Sequence, residues 1–413
     1  MTETTGAGTQ VFFNPFEPSF REDPYPFYRR ILDEAPVHRS LIGGWVLARY
    51  ADVNAVLRDP RASTGSIMDP NQRKALLEAS GMWEIWMQSA VPEFMDNIVL
   101  LKDQPDHTRI RSLMSRIFTP RAIEGLRPRI QQILDDLLAD LDPSEVDLIR
   151  DIAFPLPALV ICEMLGLPTD EREELKAWSA AAARLLDPIM DADVFNAADA
   201  GLKGFNEYFT DLVARRRSTP GEGLLGDLIA AEEDGRGLTD AELLTNLVFL
   251  FGAGHETTQN LIGNATLALL RNPDERAKLV ADPSLMKGAV EEFLRYDPPV
   301  QVTGRSALEP IDVGGITIEE GERVILLLAA ANRDGAQFDD PDGLDVARPD
   351  VHPVSFGGGI HFCLGAALAR VEGQVVLGTL VERYPEFAQT GDPAWRENFT
   401  LRGLSKLPLS LTG

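Results

Sequence analysis

Apolar positions recur along the chain at two spacings, one helical and one extended, and these predict its elements. A helical stretch from about Pro26 to Glu34 is followed by two strand-like pieces, Val37–Ser40 and the alternating Trp45–Tyr50. Asp52–Arg58 reads as a short helix that stops before Asp59-Pro60. From Ala62 to Leu101 the apolar residues (Met68, Trp83, Trp86, Met87, Phe94, Met95, Ile98) keep no clean period. That predicts a long excursion with short helices, of the kind that tends to carry function; a satellite core cluster is the other reading. His107 to Gly221 is mostly helical, with breaks expected at Asp142-Pro143, Pro155–Pro157 and Pro168.

Asp240–Arg271 is apolar nearly all round, the mark of a buried central helix. Residues 287–296 form another helix, ended by Asp297-Pro298-Pro299. Residues 310–328 read as short strands about a turn at Gly314-Gly315, 335–360 as loop, and Leu364–Glu382 as the final helix. The fold class is mainly α with a minor β-sheet region. No repeat or linker divides the chain, so a single domain is expected over 1–413, with an irregular N-terminal segment over about 1–24.

Charge narrows the partners. With 39 Lys+Arg against 64 Asp+Glu the net charge is −25, which disfavours nucleic acid and anionic lipid. Two cysteines make no disulfide framework and suit a reducing compartment. The longest unbroken apolar run, about Val324 to Ala331, is far short of the ~20 residues of a membrane span. The first residues, MTETTGAGTQ, lack a basic stretch followed by an apolar core. A cytoplasmic protein without membrane attachment is expected, working as a monomer.

The most informative stretch is Phe356-Gly357-Gly358-Gly359-Ile360-His361-Phe362-Cys363-Leu364-Gly365. Glycines let the backbone turn sharply and come close to a ligand. A thiolate at a helix N-terminus is stabilised by free N–H groups and the dipole. Gly365, Ala366 and Ala367 leave a flat first turn against which a plate-like group can lie. The arrangement suits an axial cysteine ligand to haem iron. The bland alternative is a small buried hydrophobe, the common fate of a free cysteine, but such a residue needs no four flanking glycines. A zinc site needs more ligands, and the other cysteine, Cys162, is 201 residues away. A Cys/His hydrolase would need a histidine brought in by the fold.

A second anomaly lies in the central helix. Gly252-Ala253-Gly254-His255-Glu256-Thr257-Thr258 breaks helix preferences in an apolar setting. Each glycine there costs ~1 kcal/mol relative to alanine, and a charged Glu256 costs more unless it is paired or wetted. The expectation is that the glycines open a groove for a ligand and that Glu256 and Thr257 relay protons to it. A kinked helix with internally satisfied polar groups is the alternative.

These residues together resemble a family. Phe356–Arg370, FGGGIHFCLGAALAR, is similar to the haem-binding loop of the cytochromes P-450, the haem-thiolate monooxygenases. Ala253–Thr258, AGHETT, resembles their oxygen-activating helix motif. Glu292-Phe-Leu-Arg295 with Asp345-Val-Ala-Arg348 resembles their Glu-Arg-Arg triad, and Asp103–Arg111, DQPDHTRIR, the haem-propionate helix of soluble bacterial members. Glu-x-x-Arg by itself is uninformative, since it recurs at Glu124–Arg127 and Glu320–Arg323; its place between the other motifs gives it weight. The resemblance runs in family order from about residue 12 to the C-terminus.

The resemblance implies that family's fold, with haem b (iron protoporphyrin IX) between the central helix and the cysteine-loop helix. It implies Cys363 as the thiolate ligand of the iron. His107, Arg111, Arg305 and His361 are implied at the propionates, each with a bland reading as a surface or structural residue. Ala253, Phe356, Gly357 and Gly365 are implied against the haem. Glu292, Arg295 and Arg348 lock the fold, Asn332-Arg333-Asp334 helps fix the same region, and Glu256 with Thr257 delivers protons for O2 activation. That acid–alcohol pair is commonly missing from members that run on peroxide. The pocket for a hydrophobic organic substrate (steroid, terpenoid, fatty acid or polyketide-like) is expected at the excursion, Leu250, Ala253, Val300, Val302 and Phe399.

The chain shows no dinucleotide fingerprint and has no room for a flavin or iron–sulfur module, so electrons from NAD(P)H are expected through a separate ferredoxin and its reductase. Residues 107–129 hold six arginines (Arg109, Arg111, Arg116, Arg121, Arg127, Arg129) and one acid, a candidate basic dock for an acidic ferredoxin near Arg109, Arg116 and Arg121. A solvated helix face is the bland reading. Three other functions stay open at the level of sequence: a peroxide-driven or isomerising haem-thiolate enzyme, a haem-thiolate protein that binds a ligand without turnover, and a cofactor-free cysteine hydrolase.

Overall fold

The protein's structure, a computed structural model, describes residues 18–40, 43–65, 70–168, 172–187, 192–219, 223–233 and 237–412. Met68 and residues 1–17 of the expected irregular segment lie outside them. Pro18–Glu22 is already helical, and α1 follows at Tyr25–Glu34. Five short strands make a small sheet: β1 (Val37–Arg39), β2 (Trp45–Leu47), β3 (Ala62–Ser63), β4 (Val302–Ala307) and β5 (Arg323–Leu327). Their spatial order is β1-β2-β5-β4-β3, with β2 parallel to β5 and the other pairs antiparallel. β4 escaped sequence reading because VTGRSA has neither alternation nor an apolar run.

Helix α2 (Tyr50–Arg58) lies between β2 and β3. The excursion after β3 holds three short helices, α3 (Pro70–Ala79), α4 (Trp83–Gln88) and α5 (Val91–Asn97). Next comes α6 (Asp106–Met114). Pro155 and Pro157 begin α7 (Pro155–Leu165) instead of breaking a helix, since the first turn needs no intrahelical N–H donors.

The central helix α8 runs unbroken over Asp240–Arg271. A reciprocal cap starts it: Thr239 accepts from the Glu242 N–H, and the Glu242 carboxylate accepts from the Thr239 N–H. It packs on α7 and on the cysteine-loop helix α10 (Ala366–Arg383), in a core that joins Leu247, Phe251 and Leu261 with Ile161 and Val376.

Helix α9 (Met286–Tyr296) carries the lock of the fold. Glu292 and Arg295 are fully buried and doubly bonded, from Arg295 Nε and Nη2 to the two carboxylate oxygens at 2.7 Å each. Arg348 Nε and the Asp345 N–H complete the carboxylate's shell at 3.2 and 3.0 Å. Arg295 also donates to the carbonyls of Asn332, Pro341 and Gly343. Asn332 donates to Ser355 and accepts from the Val354 N–H, which fixes the chain entering the cysteine loop. Among the described residues no helix is long and apolar enough to cross a membrane.

Candidate functional site

The glycine run folds back so that the Cys363 N–H reaches the Phe356 carbonyl at 2.9 Å. Gly357 and Gly359 have φ of +70° and +62°, which an L side chain rarely adopts. A Cβ at Gly359 would also fall 2.7 Å from the Leu57 carbonyl at the end of α2, so the loop is pressed against that helix. Nothing stands within 4 Å of where a Cβ at Gly365 would be. Cys363 is exposed although it precedes a largely buried helix. Close surroundings push its thiol up, while the Gly365 N–H, Arg111 and Arg370 pull the other way.

A cluster of two histidines and two arginines stands beside this loop. The rings of His107, from α6, and His361 are 4.4 Å apart. His361 Nε2 lies 3.0 Å from Thr64 Oγ1, and Arg111 Nη2 donates to the Phe362 carbonyl at 2.5 Å. Arg305, on β4, is 5% exposed and, among the described residues, donates only to Thr303 Oγ1 and the Gly304 carbonyl. Among the described residues no carboxylate lies within ion-pair distance of Arg305 or Arg111. Burial pushes Arg305 down to about 10. Burial, with His107, Arg305 and Arg111 adding to it, pushes His361 down to about 3. His107 Nδ1 is buried without a hydrogen-bond partner among the described residues.

On α8 the two glycines do something other than expected. A Cβ at Gly254 would meet Ile161 of α7 at 2.9 Å, and one at Gly252 would meet Ser179 Oγ at 3.0 Å. They let neighbouring helices approach; they do not open the groove. The unburied face is that of Ala253 and Thr257, and Thr257 Oγ1 donates to the Ala253 carbonyl at 2.8 Å. Glu256 is on another face, 3% exposed, and accepts from Arg396 Nη1 at 2.6 Å. Burial raises its carboxyl to about 7 against the pull of Arg396. His255 is buried between Phe154 and Phe251, and burial lowers it to about 4.

Comparison with known proteins matches this arrangement to one family. The sequence model of the cytochrome P450 family matches residues 186–410. A vitamin D(3) 25-hydroxylase of Pseudonocardia autotrophica is 44% identical over 406 residues, 96% of each chain. The chain belongs to the cytochrome P450 family. The crystal structure of a myxobacterial cytochrome P450 in complex with myristic acid superposes with a TM-score of 0.87 at 39% identity, covering 96% of this chain and 98% of that one. The tirandamycin C-bound P450 monooxygenase TamI superposes at 0.83 with 40% identity, covering 96% and 99%. The protein is a P450 monooxygenase acting on small organic molecules, and its family implies haem.

The residues present fit that group. A porphyrin brings two carboxylates, and the buried Arg305 with Arg111 and the His107 Nδ1 offers donors that, among the described residues, have no carboxylate within ion-pair distance. Among the described residues no group of three or more His, Cys, Asp and Glu could hold a metal ion, so a zinc site has no ligand set there.

Other expected positions are distributed differently. Leu250 is 6% exposed within the main core. Val302 and Phe399 pack with Phe20 and Tyr28 beneath the N-terminal helices, and Val300 is half-buried and bridges to Leu401. Arg109 is already paired with Glu242 and Asp106, Arg127 with Glu124, and Arg129 with Glu163. Of the basic stretch, Arg116 and Arg121 stay exposed without an ion pair among the described residues. Sequence reading missed Arg396, Thr64 and Arg370. Arg396 and Thr64 act across 140 and 297 residues of chain and carry no local pattern.

Proposed function

We propose that Cys363 ligates the haem iron as a thiolate and that the protein uses O2 to hydroxylate or epoxidise a hydrophobic organic molecule. Bound there, haem b supplies the electron-transfer and oxygen chemistry. The Gly365 N–H, Arg111 and Arg370 stabilise the thiolate charge. Arg305, His107, Arg111 and His361 hold the propionates, while Phe356, Gly357, Gly365 and Ala253 border the ring. Thr257 presents its hydroxyl on the open face of α8. Glu256 takes protons from the interior and passes them toward that hydroxyl; a carboxyl near 7 both accepts and releases a proton at neutral pH. Glu292, Arg295 and Arg348 act only as scaffold.

The substrate class is supported by the apolar excursion and by the relatives, among them a vitamin D(3) 25-hydroxylase and P450s in complex with myristic acid and with tirandamycin C. Ala253 on the open face of the central helix and the half-buried Val300 just ahead of β4 are the proposed pocket positions, while Leu250, Val302 and Phe399 pack into core clusters and back them from behind. Electrons come from NAD(P)H through an acidic ferredoxin. Arg116 and Arg121 are its docking charges, and Arg109 contributes less because Glu242 already neutralises it.

The observation that carries this reading is the accessible thiol of Cys363 beside the buried Arg305 and the half-buried Arg111, which have no carboxylate within ion-pair distance among the described residues. The test is Cys363→Ser. The wild-type holoprotein, reduced under carbon monoxide, should show the red-shifted Soret band of a thiolate-ligated haem, and the variant should lose it. A serine variant that keeps the band refutes the assignment.

A further inference from the structure

Asp103 lies just ahead of α6, where the excursion ends. Its Oδ2 accepts from Ser63 Oγ at 2.5 Å and its Oδ1 from the Thr64 N–H at 3.3 Å. One carboxylate therefore joins the chain entering the excursion to the chain leaving it. Gly65 makes the approach possible: a Cβ there would fall 2.9 Å from Asp103 Oδ2 and 3.0 Å from the Leu101 carbonyl.

The same junction reaches the histidine–arginine cluster by three routes. Thr64 Oγ1 contacts His361 Nε2. The Asp103 carbonyl accepts the His107 N–H at 2.9 Å. The Asp103 charge favours the protonated forms of His107 and Arg305.

A second fastening lies a few residues before the first. The buried Asn246 of α8 accepts the Val99 N–H at 2.9 Å and donates to the Asn97 carbonyl at 3.0 Å. Farther out, Asp199 accepts the Ala90 N–H at 2.7 Å. Ile85 and Met87, on α4, are exposed apolar residues. The excursion is thus fixed by polar clamps at its base and presents apolar side chains toward its tip.

We propose that Asp103 is a positioning residue that closes the base of the excursion's 70–101 segment and fastens it to the cationic end of the haem cleft. It touches neither substrate nor reacting atoms. By tying 63–64 to 103 it removes freedom that a bound ligand would otherwise have to freeze out. The inference rests on the reading that this segment lines the substrate pocket.

The test compares wild-type holoprotein with Asp103→Ala, and with the milder Ser63→Ala in case the first folds poorly. Amide hydrogen exchange reads the clasp directly. Two probes read the pocket through the Soret shift: imidazole, which needs only the haem, and clotrimazole, a bulky azole that fills the space above it. Faster exchange across 70–101 is expected, with clotrimazole affinity about 10-fold weaker and imidazole affinity unchanged. Ser63→Ala should move both in the same direction by less. Unchanged exchange in both variants overturns the proposal, and so does a parallel weakening of both azoles, which would place Asp103's effect at the haem alone. Faster exchange with unchanged clotrimazole binding upholds the clasp and refutes the placement of this segment in the pocket.

Discussion

Glu292 on α9 and Glu256 on the central helix are both buried, and each meets an arginine. Their shells differ. Glu292 accepts four hydrogen bonds, two from Arg295 and one each from Arg348 and the Asp345 N–H. Among the described residues Glu256 accepts one, from Arg396. The first carboxylate has its lone pairs filled and its cations held by backbone carbonyls, so nothing can move without breaking several bonds. The second is under-bonded, and burial lifts it to about 7. The chemistry of the pair is the same, and the number of bonds separates a saturated carboxylate from one that holds its proton near neutral pH; the proposed roles, strut and proton relay, rest on that difference.

The largest effect should come from breaking the strut. Glu292→Ala leaves the fully buried Arg295 without its carboxylate, a loss of ~3–5 kcal/mol against a total stability of ~5–15 kcal/mol. The variant should yield little folded, haem-loaded protein and a sharply lower Tm. A Tm within a degree or two of wild type would mean the four bonds are dispensable and the contrast with Glu256 is false.

Glu256→Gln should do the reverse. The amide keeps the shape and a hydrogen bond to the arginine side, so Tm should hold. Product formation should fall by ~100-fold or more, the scale of general acid catalysis. The proton must be on the carboxyl to be given up, so the wild-type rate should decline as pH rises through about 7, and the glutamine variant should lack that limb. Rates at several pH values and thermal unfolding of the same samples check both halves.

Local pattern made some of this legible and left the rest hidden. The central helix follows from residues that are apolar nearly all round, and the structure gives the same Asp240–Arg271. The cysteine loop was legible because four glycines near one cysteine have no bland use. The glycines of α8 were misread, because a helix glycine that admits a ligand and one that admits Ile161 look alike in sequence. Arg109 looked like a surface charge because Glu242 is 133 residues away. Whatever depends on which strand or helix lies opposite, including Arg396 under Glu256 and the whole of β4 around Arg305, becomes visible only once the chain has folded.

A third glutamate extends the comparison to its limit, with the smallest expected effect. Glu372 on α10 is fully buried, and among the described residues neither carboxylate oxygen has a hydrogen-bond partner within bonding geometry. Burial raises it to about 8, and the nearby Thr258 hydroxyl offsets that only in part. In the unfolded chain the group releases its proton near 4.5, whereas the folded chain holds it to about 8. Between these values folding takes up a proton, so the contribution to stability is complete below pH 4.5 and is lost as pH rises through about 8. Glu372→Gln is neutral throughout and should lack that slope. Its Tm relative to wild type should therefore climb by a few degrees between pH 5 and 8. Glu256 is present in both proteins and contributes the same slope to each, so the difference isolates Glu372. Parallel Tm curves would mean that Glu372 is charged in the folded protein, and bond number would then no longer order the three buried glutamates.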